Sequence, residues 1–376
     1  MTNPDRLRLA LLFGGRSGEH QVSLASARSV LQAIDRDRFD VIEIGITPDG
    51  RWFSGQQVHE AFLRGEKGHL DPVTFLPDPQ RSGLYKVSAG KSGRQLDLIS
   101  DVDVVFPLLH GTFGEDGTLQ GLLELADIAY VGAGVAASAV GMDKGIFKEV
   151  MRANDIPVVD SVVVLRTDLE ANPEAALEAA EAVSPYPIFA KPANLGSSVG
   201  VTRCRSRSEL LEGLLDAARY DRRILVEAGI DAREIEISVL GNENPEASIP
   251  GEIVPAADFY SYEAKYHDEA SDLLIPAPIT AEETNYVRDL AVKAYRAIDG
   301  AGLARVDFLL DRQSGKFFLN ELNTMPGFTK ISMYPKLWEA TGLPYRELIS
   351  RLVELALERR EQKRKTEFKF ERESNL

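Results

Sequence analysis

Cysteine is almost missing from this chain. Cys204 stands alone among 376 residues, so no internal disulfide can form. A lone thiol excludes a disulfide-stapled extracellular scaffold and fits a reducing compartment. No stretch reaches the roughly 18 uncharged apolar residues that a membrane-spanning helix needs. The apolar run 7–13 is too short for a signal-peptide core, and no charged N-terminal segment leads into a long apolar run. Positive charge is in deficit, with 43 Lys and Arg against 58 Asp and Glu and a formal net charge of -15. That balance excludes a general attraction to nucleic-acid phosphate but leaves room for a local basic pocket. No internal repeat is visible, and no glycine-rich loop ends in Gly-Lys-Ser or Gly-Lys-Thr. The expectation is a soluble cytoplasmic protein with no nucleic-acid partner and no membrane insertion.

What is present is ordinary in bulk, 44% hydrophobic and 27% charged, and too long for one core. Residues 7–13 followed by Gly14-Gly15 read as a buried strand, and Val22, Leu24, Ala27, Val30, Leu31 and Ile34 keep a helical rhythm. Strands are predicted over 39–46, 101–109 (entered from 96–99) and 128–131, with a helix over 119–126. This alternation predicts an open α/β sheet. Residues 47–98, with several Gly and Pro, predict an irregular insertion holding a helix near 57–64. Residues 132–141 read as a Gly/Ala-rich link into a second unit. That unit has Lys144 on a helix ending near Asn154, strands over 157–165, 188–191 and 223–227, and helices over 173–183 and 209–218. A third unit brings a strand over 234–240, a polar loop over 256–274, a helix over 281–298 and a last helix from Tyr345. The charged segment 361–376 lacks a sustained apolar face and predicts disorder toward its end. The boundaries are therefore 1–135, 136–227, 228–360 and the tail 361–376.

Chemistry concentrates at a few places. Asp307 lies in one apolar run and Glu321 and Asn323 in the next, with a turn over 311–315 between them. A hairpin would bring the three together as oxygen ligands for a hard cation such as Mg²⁺. Lys191 precedes Asn194-Leu195-Gly196-Ser197-Ser198-Val199-Gly200, a loop able to hold phosphates through backbone N–H groups. Lys144 would add a second point charge. Glu19 sits near a helix start, where a carboxylate gains from exposed N–H groups and can accept a substrate ammonium. His110 follows an apolar strand, at the edge where α/β sheets bind ligands, but equally suits a packed histidine. Glu115 suits orienting a neighbour. Glu227 ends a strand and could hydrogen-bond a nucleoside, and Glu234 and Glu236 share a strand face that reads most simply as solvated. The aromatic and charged segment 258–267 suits a lid. Arg305 beside Asp307 could stabilise transferring charge, or form a buried pair, and Gly327 can offer an N–H to an oxyanion.

Taken together these pieces resemble the D-alanine–D-alanine ligases of the ATP-grasp superfamily, in the longer form. The resemblance rests on Glu19-His20-Gln21-Val22-Ser23-Leu24, on 110–121, on Met142-Asp143-Lys144, and on 191–200. Glu263-Ala264-Lys265-Tyr266, Arg305-Val306-Asp307 and the run from Glu321 to Gly327 complete it in family order. It implies a three-domain α/β ATP-grasp fold with an N-terminal open parallel sheet and ATP held between the central and C-terminal domains. It implies Lys144, Lys191, Ser197, Ser198 and Lys265 at the phosphates, and Glu227 and Glu234 at the nucleoside. Asp307, Glu321 and Asn323 would hold two Mg²⁺ ions, with Mn²⁺ as a substitute and K⁺ as a further activating cation. Glu19 would take the ammonium of the first D-alanine and join Ser197 and Tyr266 in a triad that closes the lid. His110, Arg305, Gly327, Ser332 and Met333 would line the substrate site. The implied product is D-alanyl-D-alanine for peptidoglycan, made by a homodimer. Tyr266 in Glu-Ala-Lys-Tyr favours the dipeptide over D-alanyl-D-lactate. A D-alanine–D-lactate ligase (His267 adjoins Tyr266), another ATP-grasp carboxylate–amine ligase and a non-enzymatic nucleotide sensor are the alternatives.

Overall fold

The structure, a computed structural model, describes residues 6–90, 93–197, 199–254 and 272–367. The N-terminal sheet contains β1 (Leu7–Gly14), β2 (Phe39–Ile46), β3 (Trp52–Ser54), β4 (Asp71–Phe75), β5 (Leu84–Gly90), β6 (Gly93–Ser100), β7 (Val104–Leu108) and β8 (Ala129–Tyr130). Their order is β6-β5-β4-β3-β2-β1-β7-β8. Only β2, β1, β7 and β8 are parallel, and the rest pair antiparallel. The expected open parallel sheet is thus a mixed one.

The apolar run of β1 is continuous because both its faces are covered. Leu9, Leu11 and Phe13 enter one core with Leu24, Ala27 and Val30 of the helix His20–Ala33. Ala10 and Leu12 enter the opposite core with Leu119 and Leu123.

Residues 47–98 are not irregular. They hold the expected helix, Val58–Arg64, and most of four antiparallel strands that widen the sheet. β6 is the outer strand and is largely exposed, so its sequence lacks the alternation that marks a half-buried strand. Residues 96–99 belong to β6 and do not lead into β7.

The supposed link 132–141 carries a helix, Val135–Met142, whose Ala and Gly residues permit close packing. Asp143 then caps the helix Lys144–Ala153, accepting the N–H groups of Gly145 and Ile146. The central sheet, β9 (Ser161–Leu165), β10 (Ile188–Pro192), β11 (Thr202–Cys204) and β12 (Arg223–Ala228), has the order β11-β10-β12-β9 and is antiparallel. Ile188, Ala190, Ile224 and Val226 face the helices Pro173–Glu181 and Arg207–Tyr220. Strand alternation turns Lys191 and Glu227 to the other face.

The C-terminal sheet comprises β13 (Ala232–Leu240), β14 (Glu246–Ala247), β15 (Gly251–Val254), β16 (Asp272–Leu274), β17 (Leu303–Asp311) and β18 (Phe317–Asn323). Its order is β16-β15-β13-β17-β18, with β14 on β13. The helix Ala281–Ala297 starts in a capping box of Thr280 and Glu283. It buries Val287, Leu290 and Ala294 against Ile235, Ile237 and Val306. The last helix, Tyr345–Lys363, returns to the N-terminal core, where Leu348, Leu352 and Leu355 join Leu9 and Leu11. Its end stays ordered past Glu361 because Lys363 pairs with Glu124 and Arg364 with Asp127. The rest of the tail expected to be disordered, from residue 368, lies outside the described residues. Among the described residues no helix is long and apolar enough to cross a membrane.

Candidate active site

The acidic hairpin forms as its sequence predicts. The β17–β18 register sets Asp307 opposite Glu321 and Arg305 opposite Asn323. Arg305 grips Asp307 with both edges of its fork, Nε to Oδ1 at 2.7 Å and Nη2 to Oδ2 at 2.6 Å. Asn323 donates its NH₂ to Asp307 Oδ2 at 3.0 Å, which leaves its carbonyl oxygen, the atom a hard cation takes.

β13 pairs with β17 on the other side and sets Glu236 opposite Asp307, with its Oε2 3.0 Å from Arg305 Nε. Glu236 is buried, which corrects the reading of a solvated face. Burial would lower the Arg305 pKa, but Asp307 and Glu236 hold it well above the ordinary value. Among the described residues no group of three or more His, Cys, Asp or Glu could hold a metal. The donor set is therefore two carboxylates and an amide oxygen. This set fits Mg²⁺, which binds few carboxylates and fills its shell with phosphate oxygens and water.

A cleft of about 510 Å³ opens between β10–β12 and β13–β17, lined by Lys144, Lys191, Glu227, Glu234, Asp307 and Glu321. Lys144 Nζ donates to the Leu195 carbonyl at 2.7 Å and its N–H to the Ala193 carbonyl at 2.9 Å, so it pins the Gly-Ser loop. Lys191 pairs with Glu227 across the β10–β12 ladder. Lys148, missed in the sequence, lies one helical turn after Lys144 with its Nζ 3.1 Å from Glu227 Oε2. Its only sequence signal is that i, i+4 spacing. Burial would raise the Glu227 pKa, but Lys148 and Lys191 bring it down to about 2. Burial lowers the Lys148 pKa.

A second cavity of about 610 Å³ adjoins the first and shares Lys144, Ser197, Glu236 and Glu321 with it. Glu19, His110, Arg305, Gly327, Ser332 and Met333 line it. Glu19 is the N-cap residue of the helix His20–Ala33, as expected, and the Ser197 hydroxyl donates to its carboxylate. That contact joins the N-terminal domain to the central loop. A Cβ on Gly111, whose φ is +73, would stand 2.5 Å from Glu19 Oε2, so glycine is required there. Glu115 accepts the N–H groups of Gly111 at 2.7 Å and Met325 at 3.1 Å, the orienting role expected of it. Burial, with the Glu19 charge adding to it, pushes its carboxyl up to about 8.

His110 combines the two readings left open for it. It reaches the cavity wall, yet Nδ1 lies 2.9 Å from the Met325 carbonyl and Nε2 lies 3.0 Å from Ser26 Oγ. Both ring nitrogens are thus used within the protein, and burial lowers its pKa. Ser332 Oγ accepts the Thr329 N–H at 3.1 Å and sits where a Cβ on Gly327 would come within 3.1 Å of it. Ser198, Lys265 and Tyr266 lie outside the described residues.

Residues 8–133 match the family profile described as D-ala D-ala ligase N-terminus, and residues 150–354 match the one described as D-ala D-ala ligase C-terminus. The chain belongs to the D-alanine–D-alanine ligase family. A D-alanine–D-alanine ligase of Heliobacterium modesticaldum is 52% identical over 357 residues, 95% of this chain and 96% of the relative. One from Natranaerobius thermophilus is 46% identical over 359 residues, 95% and 97% of the two chains. Among solved structures, the D-alanine–D-alanine ligase of Coxiella burnetii superposes with a TM-score of 0.80 at 36% identity, covering 96% of this chain and 97% of that one. The VanG D-Ala:D-Ser ligase of Enterococcus faecalis gives 0.83 at 35%, covering 93% and 99%. The ligase fold is the ATP-grasp fold expected from the sequence, and the cleft of about 510 Å³ lies between its central and C-terminal sheets.

Proposed function

We propose that this ligase joins two D-alanines at the expense of ATP, giving D-alanyl-D-alanine, ADP and phosphate for peptidoglycan precursor synthesis. What supports this reading is the Ser197–Glu19 hydrogen bond, which sets a carboxylate suited to an ammonium against the Gly-Ser loop at the junction of two cavities.

A carboxylate is a poor acyl donor because its leaving group would be oxide. The first D-alanine would dock its ammonium on Glu19 and turn its carboxylate toward the nucleotide. One carboxylate oxygen attacks the terminal phosphorus, and the bond to ADP breaks, leaving D-alanyl phosphate. Lys144 and Lys191 would neutralise phosphate charge. Asp307, Glu321 and Asn323 would hold Mg²⁺, which supplies charge neutralisation at the transferring group. The neutral amine of the second D-alanine then attacks the acyl carbon, its carboxylate received near Ser332 and Met333. Arg305 and the Gly327 N–H would stabilise the tetrahedral oxyanion. Phosphate departs with the original carboxylate oxygen. The amine proton goes to phosphate or to the Ser197–Tyr266 pair. Lid closure by 258–267, including Lys265, would keep water from the acyl phosphate.

Two Mg²⁺ ions, K⁺ activation, a homodimer and a cytoplasmic location belong to the same proposal. Sedimentation of the purified chain tests the dimer. For the reaction, the chain is supplied with ATP, D-alanine and equimolar D-serine or D-lactate, and the products are weighed. D-Alanyl-D-alanine should dominate both mixtures. A dominant mixed dipeptide or depsipeptide refutes the acceptor assignment.

A further inference from the structure

Three charged side chains form a closed group on the floor of the nucleotide cleft. Lys148 is buried, with 1% of its side chain exposed, and Lys191 and Glu227 expose 12% and 6% of theirs. Lys191 pairs with Glu227 Oε1, and Lys148 Nζ stands 3.1 Å from Oε2, so each carboxylate oxygen has its own cation. The group carries two positive charges and one negative. The two lysines differ in what they can reach. Lys191 is on β10 and lines the cleft, whereas Lys148 lies behind it on the helix Lys144–Ala153 and does not line it.

We propose that Lys148 is a positioning residue for nucleotide binding, the resident counter-ion of Glu227 that frees Lys191 to take a phosphate oxygen. The inference rests on the reading that this cleft binds ATP. The physical reason is charge balance in a buried place. A buried carboxylate stripped of its only cation is strongly disfavoured. If Lys191 were the sole partner of Glu227, moving it to a phosphate would leave that carboxylate uncompensated. With Lys148 in place, Lys191 can leave and a neutral Lys148–Glu227 pair remains. The spare positive charge then belongs to the ligand.

The test is a double-mutant cycle on the full chain, read by ADP binding in calorimetry and by KM for ATP against KM for D-alanine. Lys148→Met keeps the length and removes the charge. It should weaken ADP binding and raise KM for ATP at least tenfold, about 1.4 kcal/mol, with KM for D-alanine within about twofold. Lys148→Arg should recover most of the loss. With Glu227→Gln, Lys191 is no longer held, so adding Lys148→Met should cost less than about threefold in ADP binding. Equal losses in both backgrounds, or parallel losses for ATP and D-alanine, overturn the proposal. Should the Met variant not fold, a crystal structure of the unaltered chain with ADP decides. Lys191 must have left Glu227 while Lys148 stays within about 3.2 Å of it, and Lys191 remaining on Glu227 overturns the proposal. Failure of the unaltered chain to bind ADP at all overturns the ATP reading itself.

Discussion

Removing the Ser197 hydroxyl should damage use of the first D-alanine without unfolding the protein. Ser197 sits at φ 54, in the left-handed region where a non-glycine residue is uncommon. A serine kept there, directly after Gly196, needs a use for its side chain. That use is the bond to Glu19. A hydrogen bond to an ionised, largely buried carboxylate contributes about 1.5–3 kcal/mol. Its loss should therefore reduce kcat/KM for D-alanine by about 10- to 150-fold. The assay is coupled ADP release with D-alanine varied at saturating ATP and Mg²⁺. Ser197→Ala and Ser197→Gly lose the same hydroxyl but differ in backbone freedom. Both should fall together, within about threefold of each other. If Ser197→Gly keeps near-native kcat/KM while Ser197→Ala does not, backbone shape and not the hydroxyl matters, and the reasoning fails. If both keep it, the domain-bridging bond has no part in catalysis.

Asp307→Asn should abolish the Mg²⁺-dependent rise in melting temperature with ADP present, and lower kcat by on the order of a hundredfold or more; a normal Mg²⁺ shift contradicts the metal assignment. Arg305→Lys keeps the charge but loses the fork that holds Asp307, and kcat should fall about 10²–10³-fold, with ADP affinity nearly unchanged in calorimetry. Lys144→Met loses its grip on the Leu195 carbonyl and the phosphate cation proposed for it, so KM for ATP should rise about tenfold, while KM for D-alanine moves little. Glu227, held near 2 in the folded chain against an unfolded value of 4.5, contributes stability that is complete above about pH 4.5 and is lost as pH falls through about 2. Acid unfolding of Glu227→Gln should accordingly be less steep below pH 4.5 than that of the native chain, and identical slopes refute the ion-pair account.

What could be read in the sequence was local. β1 announces itself because a strand covered on both faces needs an unbroken apolar run. Glu19 at a helix start, Lys191 ahead of a glycine-rich loop and the Asp307/Glu321/Asn323 hairpin each sit in a short stretch whose spacing fixes their geometry. What escaped came from pairing across long separations. Glu236 alternates along β13 like any half-exposed acid, and only the β13–β17 register shows that it faces Asp307 and Arg305. Lys148 looks like a solvated helix lysine until β12 carries Glu227 over it. The packed state of His110 depends on Met325 and Ser26, each more than 80 residues away. Strand β6 hid for another reason, since an exposed outer strand writes no clear alternation.

The central claim is that the carboxylate of one D-alanine is activated by phosphoryl transfer. D-Alanine labelled with ¹⁸O in its carboxylate, incubated with the chain, ATP and Mg²⁺, tests it directly. Each D-alanyl-D-alanine formed should be matched by one inorganic phosphate carrying one ¹⁸O, measured by mass spectrometry or by the isotope shift in ³¹P NMR. Unlabelled phosphate alongside dipeptide would mean that no acyl phosphate forms, and the account given for this site would be wrong.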